Sequence, residues 1–587
     1  MGSIAVIHSR TGTVAPDEVR LMLKAAPHRG STSRVIQIGR STLGASWDDE
    51  AGGGSVALGS HGAAVFCGNL DDREKLEREF GTDFPDDASL VLAAWSRWGD
   101  NVWGRLRGSY NIAVTDGERI QLARDHFGNK PLFYRSESRA LYAATEAKQV
   151  VQGAGLVREP DLDSLESILY GRPLPGSALS GVSRVDRASA LCASDPAFPS
   201  QHRYWRPEEL IETRTLGRDE VCEELLHRLD RACERAVTGN DVVLLSGGID
   251  SPSIAALAAP VHLARSGRRL KALSAVFPDH PSVDESPHII SAVDHIGLEW
   301  HSYVPRASAL DDASFWGELL DGPVETLSIP QVSEAYSHSA ALGARRVFTG
   351  ELAEHVFEIR NFLMDHLISR GRFRAAASQL GSRRAEGLGV IGMLKQIAQP
   401  LIPPRVAFGW ARRRRRDERQ VPPWIDPARI GGIGYQPDLI RSPRDRWTEL
   451  QTSPFYGQAV SFEADDICAA FHGVDVRRPF GDVDLWSFVL SLRAEVKFPD
   501  AVPKSIIRTA MRGRVPDTIL DRRDKTVFDE YSISKADYDS LRRWLSNPDA
   551  RMPGVDYGIL SDRIDRQKMS VPELRWARDL GRIHAFL

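Results

Sequence analysis

"VVLLSGGIDS", residues 242–251, is the stretch from which the rest of the chain can be read. Four apolar residues in a row predict a buried strand. The turn that follows, Ser246-Gly247-Gly248-Ile249-Asp250-Ser251, has little bulk, and Pro252 suits the first turn of a helix starting there. A strand, a glycine loop and a helix in that order aim backbone N–H groups and the positive end of the helix dipole at one place, which suits a phosphate or pyrophosphate. Gly247 and Gly248 permit close backbone approach, and the hydroxyls of Ser246 and Ser251 add donors. Asp250 would repel a phosphate unless a cation lay between them, so the loop also predicts Mg²⁺. No Lys ends the loop, which excludes the GxxxxGKS/T phosphate loop of kinases and GTPases.

Downstream the strand–turn–helix pattern repeats. "LKALSAVF" (270–277) precedes a helix predicted from about Glu285, and "RRVFTG" (345–350) gives another strand. This alternation predicts a parallel sheet with crossover helices. Beyond residue 445 the pattern is mostly helical. Upstream, Val221, Leu225, Leu229, Ala232 and Ala236 recur at helical spacing over about 219–236. The first 150 residues alternate short β-like runs with a single clear helix near 87–98, as in a sheet-rich domain. Between the two parts, "ASDPAFPSQHRYWRP" (193–207) reads as a linker or surface loop.

The 587 residues suffice for two or three domains, and 42% hydrophobic residues can fill sizeable cores. A net charge of −4 gives no global reason to expect nucleic acid. Five scattered cysteines without a CxxC read as thiols of a reducing cytoplasm, not as a disulfide frame or zinc site. No signal peptide and no membrane-length apolar run are visible, so a soluble cytoplasmic protein is expected. Residues 370–419 hold thirteen Arg or Lys against three acidic residues. They read as a solvated insertion or a docking surface for an acidic peptide; without interleaved aromatic platforms they do not suggest nucleic acid.

"SGGIDS" resembles the pyrophosphate loop of ATP-pyrophosphatase enzymes, which adenylate a carbonyl oxygen. "HRG" (28–30), "LRGSYNIAVTD" (106–116), "LARDHFGNKPLFY" (122–134) and "LYAATEAKQV" (141–150) are similar to the glutaminase-type domain of the asparagine synthetase superfamily. "SVDES" (282–286), "DGPVETLSIP" (321–330), "TGELAEHVF" (349–357), "DVRRPFGD" (475–482), "PKSIIRTAMRG" (503–513) and "LDRRDKTVF" (520–528) resemble its synthetase domain, in the same order. The resemblance implies an α/β chain. Residues 1–205 would form an Ntn-hydrolase-like α/β/β/α sandwich, and 215–587 an ATP-pyrophosphatase domain with helical additions and a basic insertion at about 360–450.

It also implies site residues. Ser246, Gly247, Gly248, Asp250, Ser251 and Gly350 would bind ATP, and Asp250 and Glu354 would hold Mg²⁺. Glu354 stands where the family's usual "SGEGSDE" has Asp, and His355 replaces the Glu after it. Lys525 would neutralise charge as the amide forms, and Glu351 would deprotonate the attacking amine, since an ammonium has no lone pair. Arg477 and Asp482 match family positions that could equally be fold-stabilising.

Glutamine-dependent members carry a nucleophilic Cys at position 2. Here the register reads Met1-Gly2-Ser3, and the family's oxyanion "NG" is matched by Cys67-Gly68. A cloning scar could account for Gly2 but not for Cys67. The expected amine source is therefore free ammonia or the substrate itself. Two branches lacking the Cys close rings this way, β-lactam synthetases and lasso-peptide cyclases. Length, the Arg-rich insertion and its "VPPWIDP" (421–427) favour the second. Such a cyclase joins the N-terminal amine of a core peptide to an Asp or Glu side chain seven to nine residues on. The precursor peptide is the expected substrate, a leader-peptide protease the expected partner, and neither nucleic acid nor membrane is expected.

Overall fold

A computed structural model describes the chain apart from residues 13, 49–52, 172–175, 324–328, 359–360, 399–420, 431–442 and 457–459. The arginine run 412–416 and part of "DGPVETLSIP" lie outside the described residues.

The N-terminal part is built from two six-stranded antiparallel sheets. In the first, the strand Gly2–Ser9 lies between Ser41–Trp47 and Ala140–Ala144. In the second, Gly108–Thr115 and Ile120–Arg124 are central. Ile4, Val6, Leu43, Val65, Cys67, Ala113 and Leu122 fill the space between the sheets. The helices Pro16–Lys24 and Ala147–Ala154 cover the outer face of the first sheet, and Asp87–Trp98 covers that of the second. The Asp86 carboxylate accepts the Ser89 N–H at 2.8 Å and fixes where the last helix begins. This is the four-layer α/β/β/α sandwich of Ntn hydrolases.

The second part has a five-stranded, all-parallel sheet. Its order is Glu299–Tyr303, Lys271–Ala275, Asp241–Leu244, Arg346–Phe348 and Asp475–Arg477. The strand leading into "SGGIDS" is therefore central, with its loop at the carboxyl end, where open α/β sheets place ligands.

Two details differ from the sequence reading. The stretch 193–207 contains the strand Ser200–Arg203 at a sheet edge, and Tyr204 donates to the Arg124 carbonyl at 2.6 Å. Trp205 packs edge-on to Phe455, so burial of its aromatics ties down a stretch whose prolines suggested a loose link. The helix after the glycine loop starts at Asp250, two residues before Pro252.

Buried ions join the two parts. Lys130 lies 2.6 Å from Asp466 and 3.1 Å from Asp475, and Arg29 bridges Glu146 and Asp466 at 2.5 Å each. Burial opposes the charge on Lys130, but the two aspartates outweigh it and hold the ammonium above the ordinary lysine range. Arg477 pairs with Asp71, while Asp482 caps the helix Val483–Ser491 and pairs with Arg235. The last two family positions thus serve the fold here.

Candidate active site

The loop after Asp241–Leu244 folds on itself before it meets any ligand. The Ser246 N–H donates to Ser251 Oγ at 2.9 Å, and the Gly247 N–H donates to the Glu285 carboxylate at 2.9 Å. Two of the N–H groups the sequence offered to a phosphate are therefore used internally. The open side is at Gly248, where a Cβ would meet only Ser246 Oγ, at 3.6 Å. Ile249, at the start of the helix Asp250–Ser266, makes no side-chain cap hydrogen bond.

Gly350 brings a second loop against the first. A Cβ there would lie 2.8 Å from the Ser251 nitrogen and 2.9 Å from Asp250 Cβ, so only glycine allows the approach. Just beyond, Leu352 adopts a φ of 73° and starts the short helix Ala353–Phe357 that carries Glu354.

Asp250 is the chemical centre of this corner. Its Oδ2 accepts the Lys504 ammonium at 2.6 Å, while Oδ1 is buried with no hydrogen-bond partner among the described residues. Burial pushes the carboxyl up and Lys504 opposes this; Glu354 and Glu358 lie near enough to push it further. Glu354 in turn accepts Lys525 Nζ at 2.7 Å, which holds its carboxyl low and the Lys525 ammonium high. Both side chains of that pair are more than half exposed, so solvent screens it and the partners can be redirected cheaply.

Among the described residues no three His, Cys, Asp or Glu side chains form a metal cage. Mg²⁺ on a nucleotide needs no such cage, because phosphates and water complete its shell around one or two carboxylates. The orphaned Asp250 Oδ1, with Glu354 beside it, fits that demand.

Glu351 is anchored differently. Arg478 Nε reaches it at 2.5 Å, Thr349 Oγ1 at 3.3 Å, and half of its side chain stays open. Arg478 also pairs with the buried Asp465, to which Tyr336 donates at 2.6 Å. His355 is exposed on its short helix.

Lys504, Glu285 and Arg522 were not singled out by the sequence. All three lay in stretches that resemble the synthetase domain, Lys504 in "PKSIIRTAMRG", Glu285 in "SVDES" and Arg522 in "LDRRDKTVF", but nothing in the sequence tied them to the phosphate loop.

The position of the missing nucleophile is closed. A Cβ on Gly2 would sit 2.6 Å from the Ser46 carbonyl oxygen and 2.7 Å from that of Gly53. The Gly53 carbonyl also accepts the Gly68 N–H at 2.9 Å, in the stretch that matches the oxyanion loop. Asn69 is turned to the other domain, donating to Asp475 at 2.8 Å and accepting from Arg346 at 2.6 Å.

Residues 224–582 match the asparagine synthase family, and residues 68–205 match the glutamine amidotransferase domain. The chain belongs to the asparagine synthase family. Enzymes of this family form amides at the expense of ATP. The chain is 27% identical to amidase chry2 of Gibberella zeae, over 50% of this chain and 46% of that one. It is 25% identical to a putative asparagine synthetase (glutamine-hydrolyzing) of Mycobacterium bovis, over 77% and 72%. It is 30% identical to the carboxyethyl-arginine beta-lactam-synthase of Streptomyces clavuligerus, over 34% and 38%. The chain thus spans less than half of chry2 and about seven tenths of the mycobacterial protein. No helix among the described residues is long and apolar enough to cross a membrane.

Proposed function

We propose that this asparagine synthase-family chain is an ATP- and Mg²⁺-dependent macrolactam synthetase, a lasso-peptide cyclase. It activates an Asp or Glu side chain of a core peptide and joins it to the N-terminal amine of the same peptide. The observation that carries this reading is the closure at Gly2, where backbone carbonyls occupy the space a nucleophilic side chain would need. An enzyme that keeps the phosphate loop but has no room for glutamine chemistry must take its amine from elsewhere. An amine already on the substrate needs no delivery route.

In the first step a carboxylate oxygen attacks the α-phosphorus of ATP and pyrophosphate leaves. The Gly248 side of the loop and the Ser246 and Ser251 hydroxyls hold the phosphates, and Gly350 lies against the adenylate. Asp250 and Glu354 would hold Mg²⁺, which supplies positive charge to the departing pyrophosphate. In the second step the amine attacks the acyl carbon and AMP leaves. Glu351, fixed by Arg478, accepts the amine's proton, and Lys525 balances the negative charge that builds on the reacting oxygens. A leader-peptide protease would supply the free amine.

The test is a pool of synthetic leaderless peptides, each with a free N-terminal amine and Asp or Glu seven to nine residues on, incubated with ATP and Mg²⁺. The expected product is lighter by one water and resists carboxypeptidase. Efficient amidation of aspartate by ammonia, with no change in peptide mass, would overturn the reading. The likeness to carboxyethyl-arginine beta-lactam-synthase supports a second reading, closure of a small β-amino acid. Tolerance of many peptide sequences would count against it.

A further inference from the structure

We infer that Glu285 is a positioning residue that sets Lys525 against the phosphate loop. The inference rests on the role proposed for Lys525. Glu285 is the last residue before the helix Ser286–Ile296, and its two carboxylate oxygens face different segments. Oε2 accepts the Gly247 N–H at 2.9 Å. Oε1 accepts Arg522 at 2.9 Å and the Thr526 hydroxyl at 2.7 Å. Arg522 closes the ring of contacts, donating to the Gly247 carbonyl at 3.1 Å and to Thr526 Oγ1 at 2.7 Å.

The arrangement is local and tight. A Cβ on Gly247 would come within 2.8 Å of Glu285 Cβ, so this contact needs glycine here. The Glu285 and Arg522 side chains are 16% and 10% exposed, whereas Lys525 is 69% exposed. Residues 522–528 form no helix or strand of their own. Lys525 therefore sits on an irregular segment held on either side, at Arg522 and Thr526, by one carboxylate that also holds the phosphate loop. Its own pair with Glu354 is a screened surface contact and cannot fix the segment. Misplacing a catalytic group by about 1 Å costs on the order of a hundredfold in rate, so holding this segment in place bears directly on the reaction.

The experiment uses the full chain and the variants Glu285→Ala, Glu285→Gln, Thr526→Val, Lys525→Ala and Glu285→Ala/Lys525→Ala. Hydrogen exchange is followed over 521–527 with Mg²⁺ and α,β-methylene-ATP, together with its Kd and the rate of AMP release with the peptide pool. For Glu285→Ala we expect exchange over 521–527 about tenfold faster, a Kd within about threefold of wild type, and AMP release slower by about 10–100-fold. Glu285→Gln and Thr526→Val each remove part of the clasp and should fall between, which keeps the test open if Glu285→Ala fails to fold. The double variant should be no slower than Lys525→Ala alone, because a residue acting through Lys525 has nothing left to position. Additive losses, unchanged exchange over 521–527, or a loss confined to nucleotide affinity would each overturn the inference. If wild type releases no AMP with the pool, the functional reading fails while the exchange measurement still decides the clasp.

Discussion

Two glycine-lined corners of this chain, one at Gly2 and one at Gly248, have opposite surroundings. At Gly2 the missing side chain is replaced by backbone: carbonyls of Ser46 and Gly53 stand under 3 Å from where a Cβ would be. At Gly248 the missing side chain leaves space, bordered by serine hydroxyls and an orphaned carboxylate oxygen of Asp250. A small residue therefore means a closed site in one place and an open one in the other. What surrounds the glycine decides which, and the open corner has a carboxylate oxygen without a hydrogen-bond partner among the described residues.

The sharpest way to break that contrast is at the open corner. Asp250→Ala removes the orphaned oxygen and the partner of Lys504, and should lower AMP release on the order of a thousandfold. Near-normal AMP release by chromatography would remove Asp250 from the site.

The next effect is on stability, where the closed corner meets the second domain. Lys130→Met leaves Asp466 and Asp475 buried without that ammonium and should cost about 3–5 kcal/mol in denaturant unfolding. Both carboxyls lie below the ordinary aspartate range against the cost of burial, drawn down chiefly by Lys130, so their contribution is present above about pH 4 and is lost as the pH falls through their folded-state values. The variant should show a flatter acid limb than wild type. An unchanged limb would mean the ions contribute nothing across the domain contact.

The smallest effects compare the two glycines directly. Gly2→Cys should release no glutamate from glutamine and should destabilise the fold by about 1–3 kcal/mol through overpacking, read as a lower unfolding midpoint. Gly248→Ala, built into open space, should leave the unfolding midpoint unchanged within about 0.5 kcal/mol. A Gly2→Cys variant as stable as wild type would show that the pocket can reopen.

The legible part of this structure was local. "VVLLSGGIDS" announced its strand and loop because four apolar residues and two glycines leave few alternatives, and the repeating pattern after it announced the parallel sheet. The strand Asp475–Arg477 was not legible, since three residues reading Asp-Val-Arg have no periodicity to detect. Gly2 was legible as a loss, but its closure depends on the Gly53 carbonyl, brought in by another strand. Lys504 and Arg522 reach the loop from more than 250 residues away, and no spacing rule encodes such contacts. Glu285 was legible as part of "SVDES", but its hold on the phosphate loop was not until its partners were in place.

The central claim is that ATP chemistry persists where glutamine chemistry has been closed. AMP and glutamate should be measured in one reaction containing wild-type protein, ATP, Mg²⁺, glutamine and the peptide pool. The account predicts AMP in step with peptide dehydration and no glutamate above the protein-free control. Glutamate rising in step with AMP would contradict it.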